Sequence, residues 1–141
     1  MNKPREYFTV ESANATLPLV RRIVDDLLVL HPTWRAAVTA YELAQDGADA
    51  TAESEEARTA RLEVGRLAAE VEGCLDELEQ VGCHFRDFDI GLVDFPAQRE
   101  GRVVSLCWHR AEPTVSHWHE LTTGFSGRRP LDESFTLRGA E

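Results

Sequence analysis

Within the stretch from Asp94 to His119, one thiol, three imidazoles and two of the carboxylates are candidates for chemistry: Cys107, His109, His117 and His119, with Asp94 and Glu112. Thiolate and imidazole together suit zinc, iron or copper, and a three-ligand site with an open position would suit catalysis or sensing. Whether these groups meet depends on strand register. From Arg102 to His109 the residues alternate, with Val104, Leu106 and Trp108 on one face and Val103, Ser105, Cys107 and His109 on the other. Val115 to His119 alternates again, and Trp118 faces away from His117 and His119. Directly opposite residues of an antiparallel pair share a face. If Trp118 joins Leu106 and Trp108 on the core face, then Cys107, His109, His117 and His119 share the other, with Glu112 at the connecting turn. The expectation is a transition-metal site, zinc or iron foremost, with Cys107, His119 and Glu112 as ligands and His117 or Asp94 as a further ligand or support.

The same residues admit other readings. An outward strand face is where polar side chains ordinarily sit, so His-x-His can mark a solvated face without metal, and a single cysteine is commonly a small buried hydrophobe. A thiol-chemistry alternative makes Cys107 a nucleophile, His117 or His119 its base, and Glu112 or Asp94 the orienting carboxylate. No nucleophile motif surrounds Cys107 to favour it.

Outside this stretch the chemistry is sparser. His31 sits in a helical seam, where a hydrogen-bonded core role is expected, with Glu70 a candidate neighbour. Glu63, Glu70 and Glu77 recur every seven residues as a solvated helical stripe. The segment Gly124 to Pro130, GFSGRRP, could hold an anion through backbone N–H groups and Arg128 or Arg129. It is also read as an ordinary basic loop that pairs with the acidic helix.

The elements that must position the site are legible from periodicity. Thr9 is an N-cap candidate with Glu11 in the first turn, and Thr16 and Pro18 give a second start signal, so a lead-in turn precedes the main first helix. Leu17, Val20, Val24, Leu27, His31, Trp34, Val38 and Tyr41 then recur at steps of three and four. Pro32 should kink this helix near Leu28 to His31. Residues 46–54 read as a loop, with Gly47 as a stop and Thr51 or Ser54 as the next cap. A second helix follows to about Val81, with Ala60, Val64, Leu67, Val71, Cys74, Leu78 and Val81 in its seam, and Gly82 ends it. The short connection makes the helices antiparallel neighbours. Beyond Gly82 the period becomes alternating: Leu92 to Phe95 reads as a strand stopped by Pro96, and Gly101 turns the chain into Arg102 to His109. The fold class is therefore α+β in a single domain, 1–141. A long antiparallel helical hairpin spans about 9–81, a small antiparallel β module about 83–131, and a loose tail 132–141.

At 141 residues the chain can bury one core, and 43% hydrophobic with 28% charged residues is ordinary globular composition. The net charge of −10 is concentrated: residues 42–80 hold twelve Asp or Glu against three Arg. Such a surface repels phosphate backbones and anionic headgroups, which disfavours nucleic acid or membrane as a partner. Cys74, Cys83 and Cys107 are odd in number and form no Cys-x-x-Cys pair, unlike a secreted disulfide framework, so a reducing cytoplasm is the expected location. No stretch approaches the roughly 18 apolar residues of a membrane span, and Met1 to Val10 contains no signal-like apolar run. Leu62 and Leu75 form a second stripe on the second helix that must meet the β module or another copy. A homodimer is expected, and a competing functional reading makes the hairpin a dimeric interaction module without metal or catalysis.

Taken together, FTVESANATLPLV and GLVDFPAQREGRVVSLCWHRAEPTVSHWHELTTGFSGRRPL resemble a bacterial domain-of-unknown-function family, number two-two-zero-three. The resemblance covers most of the chain outside the acidic loop. It extends to Asp94, Phe95 and Pro96, to Leu106, Cys107 and Trp108, to Glu112, Trp118 and His119, and to Phe125, Gly127 and Arg128. Ala111 stands where the family has Gly, and His109 and His117 lie outside the pattern. The resemblance implies no established activity, but it shifts the weight among candidate ligands to Asp94, Cys107, Glu112 and His119.

Overall fold

The computed structural model describes residues 7–46 and 52–135. Helix α1 spans Val10–Asp46. Its start is fixed by a reciprocal cap in which the Ser12 N–H donates to Thr9 Oγ1 (3.0 Å) and the Thr9 N–H donates to Ser12 Oγ (2.9 Å). The expected lead-in turn is part of this helix. Thr16 caps nothing; its hydroxyl donates to the Ala13 carbonyl at 2.7 Å, and Pro18 and Pro32 both lie inside the element.

Helix α2 spans Glu55–Val81 and is capped by Ser54, whose Oγ accepts the Ala57 N–H at 3.0 Å; Gly47 and Thr51 lie outside the described residues. Gly82, at φ 106°, turns left-handed and gives its N–H to the Leu78 and Glu79 carbonyls. The two helices pack as a hairpin.

A five-stranded antiparallel meander follows: β1 His84–Asp87, β2 Leu92–Arg99, β3 Arg102–His109, β4 His117–Glu120 and β5 Arg129–Pro130, in that spatial order. The periodicity missed β1 because it is four residues long, lies at the sheet edge and is irregular between Phe85 and Asp87. Pro96 does not stop β2, which runs on to Arg99. The Pro96 carbonyl accepts the Phe8 N–H at 2.8 Å, so the proline nitrogen faces that same side, where β1 has already ended and no ladder partner needs a donor. Glu100 (φ 53°) and Gly101 (φ 80°) make the two-residue turn between β2 and β3, both with the positive φ that a tight hairpin of this hand requires.

One face of the sheet carries Val93, Phe95, Val104, Leu106, Trp108 and Trp118, which share a single apolar cluster with Ala13, Leu17, Val20, Ile23, Val24 and Leu27 of α1 and Leu78 of α2. Gly91 allows the close approach: a Cβ there would lie 2.8 Å from Val24 Cγ1 and 3.0 Å from Arg110 Cβ. Arg21 of α1 donates to the carbonyls of Glu112 (3.1 Å) and Pro113 (3.3 Å), and Asn14 Oδ1 accepts the Val115 N–H at 2.8 Å. The β3–β4 connection is thereby anchored to the helix. Phe135, in the segment expected to be loose, is buried 5.5 Å from the Trp118 ring. Among the described residues no helix is long and apolar enough to cross a membrane.

Candidate metal centre

The register answers the question that the alternation raised. Leu106 opposes Trp118 and Cys107 opposes His117, while Ser105 opposes His119, so Trp118 shares the core face and the polar residues share the other. On the opposite side of β3, Asp94 of β2 stands directly across from Cys107. Asp94, Cys107 and His119 each offer one ligand atom, and all three atoms lie within 4.8 Å of one another. All three residues are buried, Cys107 completely.

His119 is held in a defined orientation. Its Nδ1 lies 2.8 Å from the Glu120 carbonyl and its Nε2 lies 3.2 Å from Asp94 Oδ1. A carbonyl accepts only, so Nδ1 carries a proton and donates it. Nε2 then faces the Asp94 carboxyl, and three arrangements satisfy it: an imidazolium that donates at both nitrogens, a protonated Asp94 that donates to Nε2, or a lone pair turned toward a cation shared with Asp94. Donation from the outer ring nitrogen to a carbonyl is the usual support of a metal-bound histidine. The second oxygen of Asp94 accepts from Arg86 Nε at 3.2 Å, which fixes the carboxylate plane.

Cys107 differs from an activated nucleophile. Burial pushes its thiol up to about 12, opposed by Arg128 and reinforced by Asp94 and Glu112. A thiol held in that range is protonated and inert at neutral pH unless a cation takes the place of its proton.

Glu112 and His117 belong to a neighbouring cluster. Both Glu112 oxygens accept from Arg128 Nη2, at 2.8 and 2.7 Å, and Oε1 also accepts the His109 backbone N–H at 3.0 Å. His117 Nδ1 lies 3.2 Å from Glu112 Oε2, and His109 Nε2 lies 3.7 Å from Oε1. Burial alone would raise the Glu112 carboxyl, but the Arg128 hydrogen bond, the His109 N–H and the nearby positive charge outweigh it and hold the group below the ordinary glutamate value. Arg128 therefore pairs with the β3–β4 turn and not with the acidic helix expected as its partner. Glu70 pairs with Arg66, and His31 stacks on Phe88 with ring centroids 4.0 Å apart.

A cleft of about 380 Å³ opens over Asp94 and His119, walled by Leu92, Leu121 and Phe125 and rimmed by Arg86, while Cys107 lies outside its lining. Ser105, itself buried, lines it beside Asp94 and His119. Arg86 and Ser105 were not singled out from the sequence. Ser105 carried a usable signal, since it lies two residues before Cys107 on the same strand face; Arg86 did not, because β1 was not expected.

The sequence pattern of a family described as "Uncharacterized conserved protein (DUF2203)" matches residues 6–131. The chain belongs to that family. No curated protein and no solved structure matches the chain. The match takes in the hairpin and the sheet through β5, including Asp94, Cys107, His119, Glu112 and Arg128 of this member. A buried Cys/His/Asp cluster with the donor types to coordinate a transition metal lies within it.

Proposed function

We propose that this family member is a transition-metal protein, with Asp94, Cys107 and His119 as the ligands and zinc or iron as the metal. The observation that carries the reading is the convergence of one oxygen, one sulfur and one nitrogen donor, from three adjacent strands, within 4.8 Å in a buried pocket. The His119 Nδ1 contact with the Glu120 carbonyl supports it, because it leaves Nε2 aimed at the common point. Three protein donors leave room for a further ligand from the cleft, and a bound ion would there act as a Lewis acid or redox centre. Glu112, paired with Arg128 and with His117, has a supporting role: it ties the β3–β4 turn to Arg128 and so supports the strand spacing on which the trio depends.

The test is metal content per chain, measured on protein purified without an affinity tag or chelator, beside Cys107→Ser and His119→Ala. The expected result is near-stoichiometric metal that both substitutions abolish while the fold persists. Protein that stays metal-free after reconstitution with zinc, iron and copper under reducing conditions would sink the reading.

A second reading is favoured by a separate observation. The hairpin exposes Leu43 and Leu62, which are 68% and 56% accessible, while Leu75 packs on the core. The hairpin would then be a homodimer face. Leu62→Asp should convert a dimer to a monomer in light scattering; an unchanged mass would remove this reading.

A further inference from the structure

The cleft over Asp94 and His119 has a composition that the metal centre alone does not require. Its outer wall is the segment after β4, where Leu121 and Phe125 are 62% and 41% accessible. Apolar side chains on an irregular loop would call for no account, but the backbone that carries these is hydrogen-bonded within itself. Thr123 donates to the Glu120 carbonyl, Gly127 to that of Gly124 and Arg128 to that of Phe125. The Arg128 guanidinium also sits 5.1 Å from the Phe125 ring. Gly127 has no room for a side chain, since a Cβ would fall 2.5 Å from that of Thr123. Exposed apolar surface on a hydrogen-bonded segment at the mouth of a polar pocket is the pattern of a ligand contact.

The opposite rim is cationic. Arg86 is 54% accessible and meets Asp94 through Nε at 3.2 Å. Among the described residues its guanidinium has no other partner, so the rest of its donor fan is available to a carboxylate or similar anion. The Ser105 hydroxyl lines the floor between them.

We propose that this cleft takes a small organic anion with a short apolar chain, its head between Arg86, Ser105, Asp94 and His119 and its chain on Leu121 and Phe125. The inference rests on the metal reading for the position of the head group, which would complete the coordination there. A cavity of about 380 Å³ lies at the small end of ligand pockets, which fits a compact acid and not a nucleotide or a peptide.

Hexanoate serves as the probe, with acetate lacking the chain and hexylamine carrying the opposite charge. Binding is followed by titration calorimetry on wild-type protein, Arg86→Gln and Leu121→Ser/Phe125→Ser, with metal per chain and melting temperature measured on the same samples. Hexanoate should bind the wild-type protein at least about tenfold more tightly than acetate or hexylamine, and each variant should lose a similar factor. Hexylamine or acetate binding as well as hexanoate, or folded variants binding it like wild type, would overturn the proposal. Should the variants fail to fold, the three-probe series on the wild-type protein still decides. Metal loss with the hexanoate preference intact would sink the metal centre and leave the anion site standing; retained metal without the preference would do the reverse.

Discussion

Asp94 and His119 lie on strands that are not neighbours, with β3 between them, yet His119 Nε2 is 3.2 Å from Asp94 Oδ1. The contact spans β3 on the face that also carries Cys107, and both side chains are almost wholly buried. Removing either partner takes one hydrogen-bond contact from a nearly buried atom of the other, His119 Nε2 or Asp94 Oδ1. A double-mutant cycle of Asp94→Asn and His119→Ala in metal-free protein should therefore be non-additive, by about 0.5–3 kcal/mol in urea unfolding. Additive losses would mean that the two residues do not interact in the folded state.

Thiol reactivity should rank by environment. Cys74 is half-buried on the hairpin, whereas Cys83 and Cys107 are completely buried and burial pushes both thiols up to about 12. Native protein at pH 8 should label at Cys74 first, with Cys83 and Cys107 reacting only on unfolding. Mass spectrometry after timed alkylation reads this directly, and rapid labelling of Cys107 would revive its role as a nucleophile.

Two glycines should respond to alanine in opposite senses. Gly65 is exposed within α2 with open space at its Cβ position, so Gly65→Ala should stabilise by about 0.5–1 kcal/mol. Gly91 sits at φ 67° against Val24 and Arg110, so Gly91→Ala adds both backbone strain and overpacking, a loss of about 1–3 kcal/mol. Denaturant midpoints check both; a neutral Gly91→Ala would mean that the turn between β1 and β2 does not press on α1.

The Glu112–Arg128 pair should be visible as acid sensitivity. The folded carboxyl is held below the glutamate value of 4.5, so its contribution is fully present above that value and is lost as pH falls through the lower, folded one. Glu112→Gln should thus be less stable than wild type at neutral pH, with the gap closing below about pH 4.5. A gap independent of pH would assign the loss to packing and not to charge.

The sequence carried the helical hairpin and the central register because both rest on apolar spacing. Leu106, Trp108 and Trp118 had to share the buried face, and that alone carried Cys107 and His119 to the other side of the sheet. Asp94 was harder to place, because it enters by pairing with Cys107 in a strand that Pro96 had made look shorter than it is. Glu112 was expected near the thiol as a ligand and does lie close enough to act on it, but Arg128, sixteen residues on, takes both its oxygens. Nothing in local spacing foretells which carboxylate an arginine from a distant turn will select. Arg86 escaped for a related reason, since an irregular edge strand of four residues has too little period to read.

The most direct measurement of the central claim is the near-ultraviolet and visible spectrum of the cobalt(II)-loaded protein, beside Cys107→Ser and His119→Ala. The account predicts a thiolate-to-metal charge-transfer band that Cys107→Ser abolishes, with ligand-field bands that shift or vanish in His119→Ala. Cobalt that binds without a sulfur band, or with the same spectrum in all three proteins, would place the ion elsewhere and contradict a centre at Asp94, Cys107 and His119.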